Sequence, residues 1–289
     1  MRTCALALAL LVAGGCAADG EGTISLRVSG EDGALAGYPN DEAAFADGWS
    51  VQFDQYLVAI GDLHVAATGG GTGARDEQLY IADLHAGEPD LDEIGPLAAR
   101  RWDRVSFSMR APTTDDDVVA LDGVSSEDVA RMIDGGFVYW IAGRATKGDR
   151  EVGFAWGLDN PSINRDCTNG FDGTSGLVVR NNTVTEGEIT VHVEHLFWDT
   201  LGSEQTELRF DPIAAVADAD GVVQWEALAE QQLANMQDAD GEPLVDEMGV
   251  ALVYNPGSLP IANLQEFVLA ATRTQAHLGG EGLCTIEPL

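Results

Sequence analysis

The sequence predicts a mainly β protein, an antiparallel β-sandwich carrying a helical C-terminal segment. Three observations lead there. Short segments alternate apolar and polar side chains with period two and are rich in β-branched and aromatic residues. Turn residues separate them at close intervals, the spacing of sandwich strands rather than of alternating strands and helices. After His195 the apolar spacing becomes helical.

In chain order, Thr23–Val28 alternates as a strand with one buried face. Glu31–Gly48 is loop-like, rich in glycine and acids. Ser50–Ile60 continues into Leu63–Val65 as a long strand or a strand pair kinked at Gly61, and Gln78–Leu84 is the next strand. Arg101–Met109 alternates so that Trp102, Arg104, Ser106 and Ser108 share one face while Asp103, Val105, Phe107 and Met109 take the core side. Ser125-Ser126-Glu127-Asp128 reads as the cap of a short helix that stops near Gly135-Gly136. Gly136–Thr146 and Arg150–Leu158 form a hairpin around Lys147-Gly148-Asp149. Leu177–Val179 and Glu188–Glu194 complete the strands. Trp140 and Trp156 fall on adjacent strands as core residues. Beyond them, Leu208–Val216, Gln224–Met236 (with Trp225, Leu228, Leu233 and Met236 as the buried stripe) and Leu264–His277 have helical spacing. The expected organisation is a signal segment 1–15, a tether 16–22, a sandwich 23–199 and a helical segment 200–289 packed on it.

The chain has 289 residues with 15 Lys+Arg against 48 Asp+Glu, a formal charge of −33. Such a surface repels phosphate backbones, which excludes nucleic-acid binding through a basic face, and it disfavours electrostatic docking on anionic lipid. It concentrates cations instead.

Met1-Arg2-Thr3-Cys4 and the apolar run Ala5–Ala13 read as a secretory signal, too short to span a bilayer. The run ends Ala13-Gly14-Gly15-Cys16, which resembles the lipobox of bacterial lipoproteins. That resemblance implies acylation of Cys16 and, with Ala17 rather than Asp following it, an outer-membrane anchor; plain secretion with an incidental Cys16 is the alternative. With Cys4 removed and Cys16 lipidated, Cys167 and Cys284 remain, and an oxidising compartment would join them in a long-range disulfide.

The densest chemical constellation is His192-Val193-Glu194-His195-Leu196-Phe197-Trp198-Asp199. In a strand His192 and Glu194 share a face, and His195 and Asp199 follow at its end. Imidazole with carboxylate suits copper or zinc, although two histidines at a sheet edge also occur without any metal. His64, His85 and His277 are the remaining histidines that would complete such a set. A second constellation, Asp218-Ala219-Asp220-Gly221, resembles the start of a calcium loop but lacks its full spacing, and a turn uses the same residues. Three readings follow: a non-enzymatic, lipid-anchored envelope protein binding a metal or an envelope partner at the sandwich end through His192, Glu194, His195 and Asp199; a calcium-stabilised surface or adhesion module using Asp218 and Asp220; and a hydrolase with spatially paired carboxylates. The familiar nucleophile-elbow, phosphate-loop, dinucleotide and zinc-protease motifs are missing.

The strand phrases Gln55–Leu63, Leu79–Asp83, Trp102–Phe107 and Phe137–Gly143 follow one another in an order that resembles the MbnP-like copper-binding family of secreted bacterial β-sandwich proteins. The likeness covers about residues 50–200. It implies a sandwich, copper handling beside a partner haem peroxidase, and a copper site of histidine with an oxidised tryptophan. This chain departs from the pattern in lacking a serine after Tyr56 and in its added C-terminal segment.

Overall fold

The computed structural model describes residues 20–202, 205–246 and 248–289. The signal segment, Cys16 and the start of the tether lie outside the described residues. In chain order the main elements are β1 (Glu21–Ser29), α1 (Glu31–Ala36), β2 (Ser50–Ala66), β3 (Ala74–Asp83), β4 (Ile94–Ala98), β5 (Arg104–Met109), α2 (Ser126–Gly135), β6 (Tyr139–Lys147), β7 (Arg150–Leu158), β8 (Ser162–Arg165), β9 (Val184–Val191), α3 (Leu264–Thr272), β10 (Ala276–Leu278) and β11 (Thr285–Pro288). They form a mainly β fold of two principal sheets. The smaller has the order β10-β9-β1-β4. The larger runs β7-β6-β2-β5-β8-β11, with β3 on the free edge of β2.

The long strand β2 organises the larger sheet, and two register shifts decide which of its residues face the core. One lies between Phe53 and Gln55 and the other between Gly61 and Leu63. Each extra residue reverses the alternation. The inward set therefore changes from Val51 and Phe53 to Tyr56, Val58 and Ile60, then to Leu63 and Val65, all in one core cluster with Ile24, Leu26 and Val28 of β1. Between the shifts Leu57 and Ala59 face outward, and they are buried with Ile81 and Met132 in a small second cluster that α2 covers. That helix has the expected capping box, Ser125 with Asp128, and ends on Gly136 at φ 64°.

Several expectations need correction, the first being that Glu31–Ala36, expected within a loop, is the short helix α1. The sheets are not wholly antiparallel: β1 and β9 pair in parallel from Thr23↔Val184 to Ser29↔Thr190, and short strands Val118–Ala120 and Val222–Val223 add in parallel to β3 and β7. Parallel neighbours need a long crossover, and here most of the larger sheet lies between β1 and β9 in the chain. Trp102 is buried, because the ladder breaks at Asp103 and Arg101–Trp102 pairs instead with Leu177–Val178. Phe107 and Met109 remain inside, as the alternation required.

The segment after residue 200 holds far less helix than its spacing predicts. Asp211–Ala214 is a single turn and Trp225–Glu230 a 3-10 turn, so α3 is the one extended helix among its described residues. Leu228, Leu233 and Met236 are nevertheless buried, because the chain past Glu230 runs alongside Ala262 and Asn263 rather than continuing to coil. Nor is this segment a layer set on a finished sandwich. Its strands β10 and β11 complete one sheet each.

Cys167 and Cys284 form the expected disulfide across 117 residues, beside the β8–β11 pair. Closing a loop of that length stabilises a fold by about 5 kcal/mol in the chain-entropy picture. The pair Cys167→Ser/Cys284→Ser is expected to lose roughly 2–5 kcal/mol, read from the shift in urea midpoint at unchanged slope.

The second register shift on β2 is held by charge. Arg110 Nε donates to Asp62 Oδ2 at 3.0 Å, and Arg110 also grips both oxygens of Asp116 at 2.7 and 3.0 Å. The Arg110 guanidinium holds the Asp116 carboxyl well below the usual carboxylate range. The Asp116 pair therefore stabilises the fold above the unfolded carboxyl value of roughly 3.9, and that contribution is lost as pH falls toward the folded value. Arg110→Met should cost about 1–3 kcal/mol near neutral pH, with the gap from the parent narrowing below about pH 3 in denaturant titrations.

Candidate metal centre

At the end of β9 the strand stops at Val191 and Val193–Phe197 winds as a 3-10 turn. Three residues per turn align positions three apart. His192, His195 and Trp198 therefore share one side. The two imidazoles lie parallel, 9° apart, with centroids 5.3 Å from each other, and the His195 ring packs on Trp198. The neighbouring strands add further groups. Antiparallel β10 sets His277 opposite Thr190, its ring 4.9 Å from that of His192. On the other side β1 leads into α1, whose first residue, Glu31, meets His192.

The ligand-capable atoms converge. One donor atom each from His192, Glu194 and His195 lies within 4.8 Å of the others, and this is the group of three or more His, Cys, Asp or Glu found among the described residues. His192 Nδ1 is 3.2 Å from Glu31 Oε2 and 3.3 Å from Glu194 Oε1, and His195 Nε2 is 4.0 Å from Glu194 Oε1. The Tyr38 hydroxyl donates to the other oxygen of Glu194 at 3.3 Å. Gly33 makes room for it, since a Cβ there would stand 2.1 Å from that hydroxyl oxygen.

Hydrogen bonds to the far side of each ring orient it, and at His195 they assign the tautomer. Thr274 Oγ1 donates to the Ala271 carbonyl at 2.8 Å, so it accepts from His195 Nδ1, also at 2.8 Å. That leaves His195 Nε2 with its lone pair toward Glu194. His192 Nε2 faces the Gly280 carbonyl at 3.4 Å, which leaves Nδ1 as the atom turned to the two carboxylates. His277 differs: its ring nitrogens point at the carbonyls of Gly282 and Thr274, at 3.1 and 2.8 Å. It walls the centre and offers no free nitrogen.

Burial and charge then separate the histidines. Desolvation alone would lower His192, but hydrogen bonds and charge from Glu194 and Glu31 prevail and raise it to about 10. In return the Glu31 carboxyl is lowered, chiefly by its bond to His192. Burial, then repulsion from His192 and His277, lowers His195 to about 2, which keeps its ring neutral. His277 is lowered first by burial and then by His192. Glu42 stands at the rim. Its carboxyl is raised by burial and by the nearby charges of Glu31, Asp32 and Glu194.

Of the residues singled out from the sequence, His192, Glu194 and His195 meet. Asp199 does not join them, because the chain leaves the 3-10 turn at Trp198 in extended geometry. Asp199 Oδ2 accepts from Arg209 Nε at 3.0 Å, and its other oxygen accepts from the Glu207 amide at 3.1 Å. Asp218 and Asp220 sit apart from the centre. Asp218 Oδ1 accepts the amides of Asp220 and Val222, both at 3.0 Å, and Gly221 takes φ 75°, which makes a carboxylate-stitched turn. The same stitch recurs at Asp238 and at Asp246. His64 lines a separate groove with Arg75 and Arg110, and His85 Nδ1 faces the Ala34 carbonyl at 2.9 Å. Sequence reading missed Glu31, Tyr38 and Thr274, none of which has a local motif.

Neither a protein-family model, nor a curated protein, nor a solved structure matches this chain.

Nitrogen–proton correlation spectra of the imidazole rings should show His192 doubly protonated at neutral pH with a titration midpoint near 10, and His195 neutral with its proton on Nδ1. Thr274→Val should erase the single-tautomer signature of His195 and leave that of His192 in place.

Proposed function

We propose that this chain is a lipid-anchored protein of the bacterial envelope that binds one transition-metal ion, of copper or zinc type, through His192, Glu194 and His195. The observation that carries the reading is the convergence of two imidazoles and a carboxylate, each ring oriented from behind by an oxygen of the protein. Ligands held this way lose little freedom when an ion enters, and such outer partners affect metal affinity by about 10–100-fold. The resemblance of strand order to a copper-binding sandwich family points the same way. So does the surface charge of a −33 chain, which raises the local concentration of cations.

The anchor follows from the Ala13-Gly14-Gly15-Cys16 segment. It agrees with the Cys167–Cys284 disulfide, a bond at home in oxidising compartments. A tethered metal binder of this kind would hold an ion at the cell envelope or pass it to a partner protein there.

The test is elemental analysis and isothermal titration of untagged mature protein. One equivalent of zinc or copper is expected for the parent, and none for His192→Ala/His195→Ala at unchanged far-ultraviolet circular dichroism. Asp199→Asn should keep full binding, since its carboxylate serves Arg209. A parent that takes up no ion, or a double variant that takes up as much as the parent, removes the reading.

A further inference from the structure

The metal-binding reading above rests on three residues close together in the chain, and the sheet brings a fourth donor to them. β1 and β9 run parallel in register up to Ser29↔Thr190. Two residues further along each strand stand Glu31 and His192. The ladder stops there, but the two chains leave it side by side, and the Glu31 carboxylate stands 3.2 Å from His192 Nδ1. Ser29 Oγ accepts the Glu31 amide at 3.0 Å, and Glu31 itself is held at φ 53°. A non-glycine residue in the left-handed region costs of order 1–3 kcal/mol and persists where the surroundings impose it.

We propose that Glu31 supplies the fourth protein donor of this centre, and that the occupant is a first-row divalent cation held by His192, Glu194, His195 and Glu31, not monovalent copper. Around His192 the geometry is close to what such an ion needs, while the Glu31 carboxylate, which lies outside the set converging within 4.8 Å, swings toward Glu194 and His195 to complete it. Bonds of about 2.0–2.1 Å in a tetrahedron put neighbouring donors roughly 3.3 Å apart. The His192–Glu31 and His192–Glu194 separations are 3.2 and 3.3 Å, and the His195–Glu194 separation of 4.0 Å must close by about 0.7 Å. The ion takes the place of the proton that His192 Nδ1 shares with the two carboxylates, and that proton is released to solvent as the ion binds.

Charge selects the ion. The His192 and His195 side chains are only 4% and 5% exposed, so net charge at their nitrogens is costly to hold. Two carboxylates neutralise a divalent cation, whereas a monovalent ion leaves one negative charge over. The donor types agree, since monovalent copper favours soft sulfur ligands, while imidazole with carboxylate suits divalent ions. Asp32, Glu42 and the exposed Glu281, 3.9 Å from His192 Nε2, remain at the rim to draw cations in rather than to ligate them.

Mature protein is titrated with zinc, with cobalt as a visible reporter, and with monovalent copper under reductant. The parent is expected to bind one equivalent of zinc or cobalt, more tightly than monovalent copper. Glu31→Gln should weaken zinc at least tenfold and shift the cobalt d–d absorption, because a ligand has been lost. Glu31→Asp keeps the charge beside His192 but withdraws the oxygen by one methylene, so it should also shift the cobalt spectrum; it serves if the amide variant does not fold. Glu42→Gln, at the rim, should leave the equilibrium affinity and the spectrum unchanged. A parent that binds with an identical cobalt spectrum in both Glu31 variants overturns the assignment of Glu31 and leaves the three-residue centre standing. A preference of the parent for monovalent copper overturns the choice of ion. A parent that binds none of the three ions removes the centre itself.

Discussion

The parallel ladder between β1 and β9 is the constraint on which the rest of the molecule depends. Two parallel strands finish at the same end of a sheet, so whatever follows each one is delivered to the same place. Here the two continuations are Glu31 and His192, which are 161 residues apart in the chain and in contact in space. The crossover between them is nearly the whole of the larger sheet, so the centre exists only once both sheets have closed on a common core. β10 fits against the free edge of β9 and brings His277, Gly280 and Gly282 to the histidine rings. The disulfide holds the chain that follows, so the last strands of both sheets are secured to the middle of the sequence.

The centre also shows how a very acidic chain holds two neighbouring imidazoles in different charge states. Acids are abundant on its surface, but among the described residues only at this point do two carboxylates face one buried ring nitrogen. Their combined field outweighs desolvation and charges His192, and that charge together with burial keeps the neighbouring His195 neutral. One ring thus occupies the middle of the cluster as a cation and the other stands ready with a lone pair. Elsewhere the acids act locally. Asp218, Asp238 and Asp246 stitch turns through their own backbone amides, and Asp199 neutralises a buried arginine. Similar-looking acid-rich phrases therefore do different work, according to whether the backbone or a distant side chain claims the carboxylate first.

The strands β1, β2, β3, β5, β6, β7 and β9, the capped helix α2, the hairpin at Gly148 and the pairing of the last two cysteines could be read from residue order, because each rests on interactions between neighbours or on an even count of thiols. The short strands β4, β8, β10 and β11 could not, because they pair only with distant segments. Burial of Leu228, Leu233 and Met236 was legible too, but the helix was not. Helical spacing marks which residues go inside, and a chain bridged to Ala262 and Asn263 satisfies the same demand without coiling. Trp102 was misplaced because a single break in the ladder at Asp103 reverses every face before it.

By itself, the sequence determined a β-rich chain of strong negative charge and a His-x-Glu-His phrase at the end of a strand, since composition, alternation and spacing are properties of the chain alone. Only the tertiary structure decided which acids and histidines meet there. It chose Glu31 over Asp199 and His277 over His64 and His85, it set the tautomer of His195 through Thr274, and it turned the His192 ring through Gly280. Those choices depend on strand order and register, which arise when distant segments compete to bury their apolar faces, and no local pattern records the outcome of that competition.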